Sequence, residues 1–259
     1  MLTTTLSLNS IQEVIDALNG MHEAFEVIAQ AVNALPPVYA TNLPALPTAV
    51  SVGIQCHPLM LQTYKPVLTT GDGDCMYHAL SRVVCGSECL SKIFRLLIAY
   101  AAVKYRDVLI QALQHAFPTD PYGNHVRKAN TLIVDALRIG SWGSDFHLFP
   151  LSLLLDRPIF TYVYFYTTSE DCMKTLMLAD IDDVHVFAQK FLAFASGTRQ
   201  HLQWCSSAHK ALLMSGDVTT LPHLPLALFF AHNHFTALVP LSSSVLQHLP
   251  IPFGKVLDD

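Results

Sequence analysis

Charge is scarce in this chain: Asp, Glu, Lys and Arg make up 14% of its 259 residues, and the fifteen Lys and Arg form no dense basic run. A surface that tracks a nucleic-acid backbone is therefore not expected. CxxC pairs are also missing. The six cysteines, at 56, 75, 85, 89, 172 and 205, have neither the pairing nor the density of a small secreted scaffold, and read as reduced thiols of a cytoplasmic or nuclear protein. The opening MLTTTLSLNS lacks the basic start and apolar stretch of a secretory signal. Asp156 and Arg157 interrupt the most apolar segment, LFPLSLLLDRPIFTYVYF, before it reaches the roughly 20 residues of a membrane-spanning helix. These absences predict a soluble protein with no membrane partner.

What is present is apolar material: 51% of the residues are hydrophobic, enough for one well-buried domain with an added element. Ser10 and Glu13 have capping-box spacing, and Ile11, Val14, Ile15, Leu18, Phe25, Ile28 and Val32 recur at helical intervals. Residues 10–35 are expected to form one helix, or two with a break near Gly20. The stretch LPPVYATNLPALPTAVS (35–51), rich in Pro and Ala, reads as an extended linker. The expected organisation is thus an N-terminal helical segment over 1–50 and a main domain over 51–259.

In the main domain, VLTT after Pro66 is a short strand candidate, GDGD is a loop, and CMYHALSRVVC is a helix stopped by Gly86. Further helices are expected over 89–117, closed by Pro118, and over 129–140, ended by Gly140. WGSDFHLFPLSLLLDRP suggests a loop and a helix, and IFTYVYFYT a buried strand. VHVFAQ, FLAFAS, LPLALFF and HFTALVPL suggest more strands. Helices early and strands late predict an α+β, or mixed α/β, domain with a central sheet backed by helices.

The chemistry concentrates at Cys75. A thiol at a helix N-terminus meets unpaired N–H groups that favour the thiolate, and Gly71 and Gly73 allow the preceding loop to turn N–H groups inward as an oxyanion hole. A cysteine hydrolase also needs a distant histidine as proton acceptor, and His234, opening the apolar run HFTALVPL, is the candidate. The plainer readings are that Cys75 is a small buried hydrophobe, Asp72 a helix cap and His234 a strand-end histidine.

Three blocks carry a resemblance. DGDCMYHALS (72–81) resembles the D-G-[ND]-C-[LM]-[FY] signature of the ovarian-tumour (OTU) family of cysteine proteases, WGSDFHLFPLSLLLDRPIFTYVY resembles the family's middle segment, and HFTALVP its closing histidine strand. They stand in family order. The resemblance implies an OTU-like cysteine protease fold and a deubiquitinase that hydrolyses isopeptide or peptide bonds at the C-terminus of ubiquitin or a ubiquitin-like protein. It implies no cofactor and no metal. Carried over, it makes Cys75 the nucleophile and His234 the general base, with Asp72 opening the Asp72–Asp74 backbone that forms the oxyanion hole; Trp142 and Gly143 are structural. Where the family has Asn or Asp two residues after the histidine, this chain has Thr236, so either a reduced activity or the assistance of another residue such as Asp72 or Asn233 is expected.

The N-terminal helix, the CHPLML lead-in and the layout are also similar to vertnin-like OTU domains, which implies a catalytically silent module that binds ubiquitin or serves as a regulatory scaffold. Two further groupings stand out. His201, Cys205 and His209 would share one face of a helix, as a zinc site requires, and Cys85 and Cys89 could face each other along a helix as free thiols.

Overall fold

In the computed structural model the described residues are 11–42, 58–117, 119–157, 159–165, 189–194, 200–206, 225–231 and 233–243. Ser10, most of the 35–51 stretch and nearly all of VHVFAQ lie outside them. The N-terminal segment forms α1 (Ile11–Gly20) and α2 (His22–Asn33), with the expected break beside Gly20. Val14, Leu18, Phe25, Ala29 and Val32 are buried, and Ile11, Ile15 and Ile28 pack against the same core.

Next come α3 (Pro58–Thr63) and β1 (Tyr64–Val67), then α4 (Cys75–Cys85), α5 (Ser91–Lys104), α6 (Arg106–Ala116), α7 (Tyr122–Leu137) and α8 (Asp145–Leu154). The strands β2 (Ile159–Phe165), β3 (Gln189–Phe194), β4 (Gln200–Ser206), β5 (Leu226–Ala231) and β6 (His234–Pro240) complete the described chain. No helix among the described residues is long and apolar enough to cross a membrane.

The fold is the expected mixed α+β class. A six-stranded sheet runs β1-β6-β5-β2-β4-β3, antiparallel throughout except for the parallel β2–β5 pair. β1 begins three residues before the expected VLTT strand and includes Pro66. A proline lacks the N–H that a central strand must donate, and β1 avoids the penalty by lying at the sheet's edge.

The long helix expected over 89–117 is two helices meeting at Tyr105. α5 is buried almost all round, through Phe94, Leu97, Ile98, Ala99, Tyr100, Ala101 and Ala102, whereas α6 buries one stripe of Leu109, Ile110, Ala112 and Leu113. The turn at Tyr105 redirects the chain from one environment to the other. α7 begins seven residues before the expected segment and ends at Leu137, leaving Arg138–Gly140 as a turn with Gly140 at φ 77°.

α5 is the hub. α4 packs between it and strands β5 and β6, while α7 and α8 pack on its other sides. The N-terminal helices also rest on α5: Phe25 stacks on Tyr100 at 4.8 Å between ring centroids, and Glu26 accepts hydrogen bonds from the Tyr100 hydroxyl (2.7 Å) and Lys104 (2.5 Å). One hydrophobic core continues from Val14 to Val239.

Candidate active site

Cys75 is the first residue of α4, and the helix forms for reasons plain in its sequence: Met76, Ala79, Leu80, Val83 and Val84 are all buried, and Gly86 adopts the left-handed conformation (φ 78°) that ends it. The thiol is 9% exposed. Burial pushes it above its ordinary value, although the N–H groups of Phe235, Met76 and Cys75 itself favour the thiolate. The expectation of a depressed thiol is corrected here, because at this helix start desolvation outweighs the helix N-terminus.

His234 opens β6, which hydrogen-bonds β5 on one side and β1 on the other. That register brings it to Thr69, just beyond β1. The Thr69 hydroxyl donates its one hydrogen to the carbonyl of Phe235 at 2.5 Å, so at 3.0 Å from His234 Nε2 it can only accept. Nε2 therefore carries the ring proton, and Nδ1 is the basic nitrogen. Gly71 lies against this edge of the ring: a Cβ there would be 3.7 Å from Cε1 and 3.9 Å from Nδ1. Burial also lowers the His234 pKa, partly offset by a hydrogen bond with the Thr69 backbone.

The loop between β1 and α4 is shaped by its two aspartates. Asp72 accepts a hydrogen bond from the Asp74 N–H at 2.9 Å and from His78 Nε2 at 3.1 and 3.2 Å. Burial pushes its carboxyl up, but these bonds outweigh that and hold it below its ordinary value. Asp72 thus partners His78 and not His234. Of the Asp72–Asp74 backbone read from sequence as an oxyanion hole, the Asp74 N–H is already taken by the Asp72 carboxylate.

Asp74 is buried and points the other way, into an ion pair with Arg95 of α5, and it accepts the Gly140 N–H at 2.6 Å. Arg95 is 3% exposed and also donates to the carbonyls of Asp135, Ala136 and Ser141, with its guanidinium 3.9 Å above the Tyr77 ring. Gly73, at φ 92°, leaves so little room that a Cβ would come within 2.3 Å of the Gly140 carbonyl oxygen. Gly143 is equally tight: a Cβ there would lie 2.1 Å from Met76 Cε. Gly143 is structural as expected, but Trp142 is 59% exposed and packs no core.

Neither Thr69 nor Arg95 was singled out in the sequence. A lone arginine in the apolar run of α5 was the available signal, since a buried guanidinium demands a carboxylate. Thr69 offered none. Of the other candidates, Thr236 is buried in β6 opposite Phe229, and the ring of His234 is met by Thr69 instead. Asn233 is an exposed turn residue at φ 60°, directly before β6.

The helical face proposed for His201, Cys205 and His209 is not formed. His201 and Cys205 lie in β4, where positions four apart are separated by about 13 Å; His209 lies outside the described residues. Asp72, Asp74 and His78 do gather within 4.8 Å, but Asp74 is committed to Arg95 and Gly140, making this a hydrogen-bond network.

A protein-family model described as OTU-like cysteine protease matches residues 70–202. No curated protein matches the chain. Among solved structures it is similar to the viral OTU domain proteases of Dera Ghazi Khan virus (14% identity, 71% of this chain and 85% of that one, TM-score 0.42) and Farallon virus (14%, 70% and 87%, 0.43). It is also similar to the Hazara virus OTU bound to ubiquitin (18%, 71% and 86%, 0.36).

Proposed function

Because the chain belongs to the OTU-like cysteine protease family, we propose that it is a deubiquitinase, hydrolysing isopeptide or peptide bonds at the C-terminus of ubiquitin or a ubiquitin-like protein. The observation that supports this reading best is the Thr69 hydroxyl, which fixes His234 with Nε2 protonated and Nδ1 free to act as base.

In the proposed reaction, His234 Nδ1 takes the Cys75 proton as the sulfur attacks the scissile carbonyl, and N–H groups of the loop before α4 stabilise the oxyanion. His234 returns the proton to the leaving amine. Water activated by the same nitrogen then cleaves the thioester. With the thiol pushed up and the imidazole pushed down, the resting pair is neutral, and the proton moves during the attack.

The raised thiol also favours a second reading, the catalytically silent ubiquitin-binding module. A ubiquitin probe with a C-terminal electrophile separates the two. A covalent adduct with the native chain, lost in Cys75→Ala and in His234→Ala, supports the hydrolase; a folded protein that binds ubiquitin without forming an adduct supports the silent module. Absence of both binding and adduct overturns the ubiquitin assignment.

A further inference from the structure

A second group of thiols lies one turn beyond the active-site helix. Cys85 is the last residue of α4, and Cys89 sits in the turn that leads to α5; the left-handed Gly86 folds that turn back so that the two sulfurs are 3.8 Å apart. They face each other across a turn, not along a helix as the sequence suggested. Cys85 is half-buried and Cys89 exposed, and both are free thiols.

Ser87, between them, donates its hydroxyl to Cys89 Sγ at 3.1 Å and lies 3.5 Å from Cys85 Sγ. Ser81 holds the turn in place by donating to the Ser87 carbonyl at 2.6 Å and accepting the Leu90 N–H at 2.9 Å. Burial raises the Cys85 thiol, but its polar contacts with Ser87, Ser81 and Cys89 outweigh that and bring it below its ordinary value, the reverse of Cys75. Of the two cysteines of α4, Cys85 is the one favoured as a thiolate.

The turn also supports the active site. Glu88 accepts the Thr70 N–H at 3.0 Å, the Thr70 hydroxyl at 2.7 Å and Arg82 Nε at 3.0 Å. Thr70 directly follows Thr69, which holds His234. The bridge from the thiols to the imidazole therefore runs along the chain from Cys89 to Glu88, through hydrogen bonds to Thr70, along the chain to Thr69 and through its hydroxyl to His234.

We propose that Cys85 and Cys89 are an oxidation site at which a hydroperoxide closes a disulfide, and that the bond shifts Glu88 and slows the chemistry at His234. The Cys85 thiolate attacks the peroxide, forming an S–O bond as the O–O bond breaks and water or an alcohol leaves. Cys89 then attacks the Cys85 sulfur, forming the S–S bond, and its proton leaves with the displaced hydroxide as water. Two thiols are oxidised and one peroxide is reduced, with no other reactant. Bonding draws the sulfurs together by about 2 Å, a movement the five-residue turn must absorb.

The test has two arms, and only the second rests on the proposed hydrolase activity. In the first, the full chain carrying Cys75→Ala is treated with hydrogen peroxide, its remaining thiols are alkylated, and its peptides are mapped. A Cys85–Cys89 link that dithiothreitol reverses is expected; recovery of both as free thiols, or as separate sulfinic acids, would overturn the site. In the second, the native chain and Cys89→Ala receive the same peroxide treatment before the electrophilic ubiquitin probe, so that oxidation of Cys75 affects both alike. The native chain is expected to slow by about three- to tenfold more than the variant and to recover with dithiothreitol. Equal slowing would overturn the link to His234. A reduced native chain that never reacts with the probe would count against the hydrolase, and the peptide map would still decide the site.

Discussion

Arg95 and Asp74 form a buried ion pair beneath the loop that precedes Cys75, and Asp74 is also the residue from which α4 starts. The pair ties the first turn of α4 to the middle of α5 and to the carbonyls that end α7. Removing one partner leaves an uncompensated charge. Arg95→Met is expected to destabilise the fold by about 3–5 kcal/mol, measured by urea unfolding. The Asp74→Asn, Arg95→Met double variant should lose less than the two single losses added together; simple additivity would show that the pair is not coupled.

Thr69→Val keeps the shape of the side chain and removes the oxygen that orders His234. The adduct-forming rate is expected to fall roughly tenfold, the worth of a neutral hydrogen bond, while Thr69→Ser stays near the native rate. Thr236→Val should change little. If the effects of Thr69 and Thr236 were reversed, the family's usual position would hold the orienting role after all.

Alkylation of Cys75 by iodoacetamide should rise about tenfold per pH unit through neutrality and show no plateau below pH 9, because burial disfavours the thiolate. His234 is shifted down, so the acid limb of the probe reaction should have its midpoint below pH 6.5. A plateau in alkylation between pH 5 and 7 would instead reveal a preformed thiolate–imidazolium pair.

His147, buried in the capping box of α8, accepts the Ser144 N–H at 3.0 Å through Nδ1 and donates Nε2–H to the Leu132 carbonyl at 3.1 Å. Burial brings its pKa down to about 4 from 6.5. The unfolded chain therefore takes up the proton first, so the stabilisation is complete above pH 6.5 and is lost as pH falls to about 4. The loss is on the order of 3 kcal/mol. Thermal unfolding of the native chain should weaken across this window, and His147→Gln should flatten the slope there while leaving the carboxylate-driven loss at lower pH.

Features with a local cause were legible in the sequence. The start of α4, its stop at Gly86, the break beside Gly20 and the strands at 226–231 and 234–240 follow from periodicity, a glycine or an apolar run. Cys75 and His234 could be singled out for the same reason. The break at Tyr105 could not, because no proline or glycine marks it and it answers to what surrounds α5 and α6. The same holds for the Thr69 hydroxyl, whose role depends on β6 lying beside β1, and for the pKa of Cys75, which is set by burial that a helix position does not reveal.

Thr69 and His234 are 165 residues apart in the chain, and β6, which brings them together, is inserted between β1 and β5. On the ribosome, the helix bearing Cys75 is made well before the strand bearing His234. At about 5–20 residues per second, the nascent chain carries Cys75 for some 10–30 s before His234 is added. Vectorial synthesis alone thus keeps the thiol and the imidazole apart until the domain closes around them.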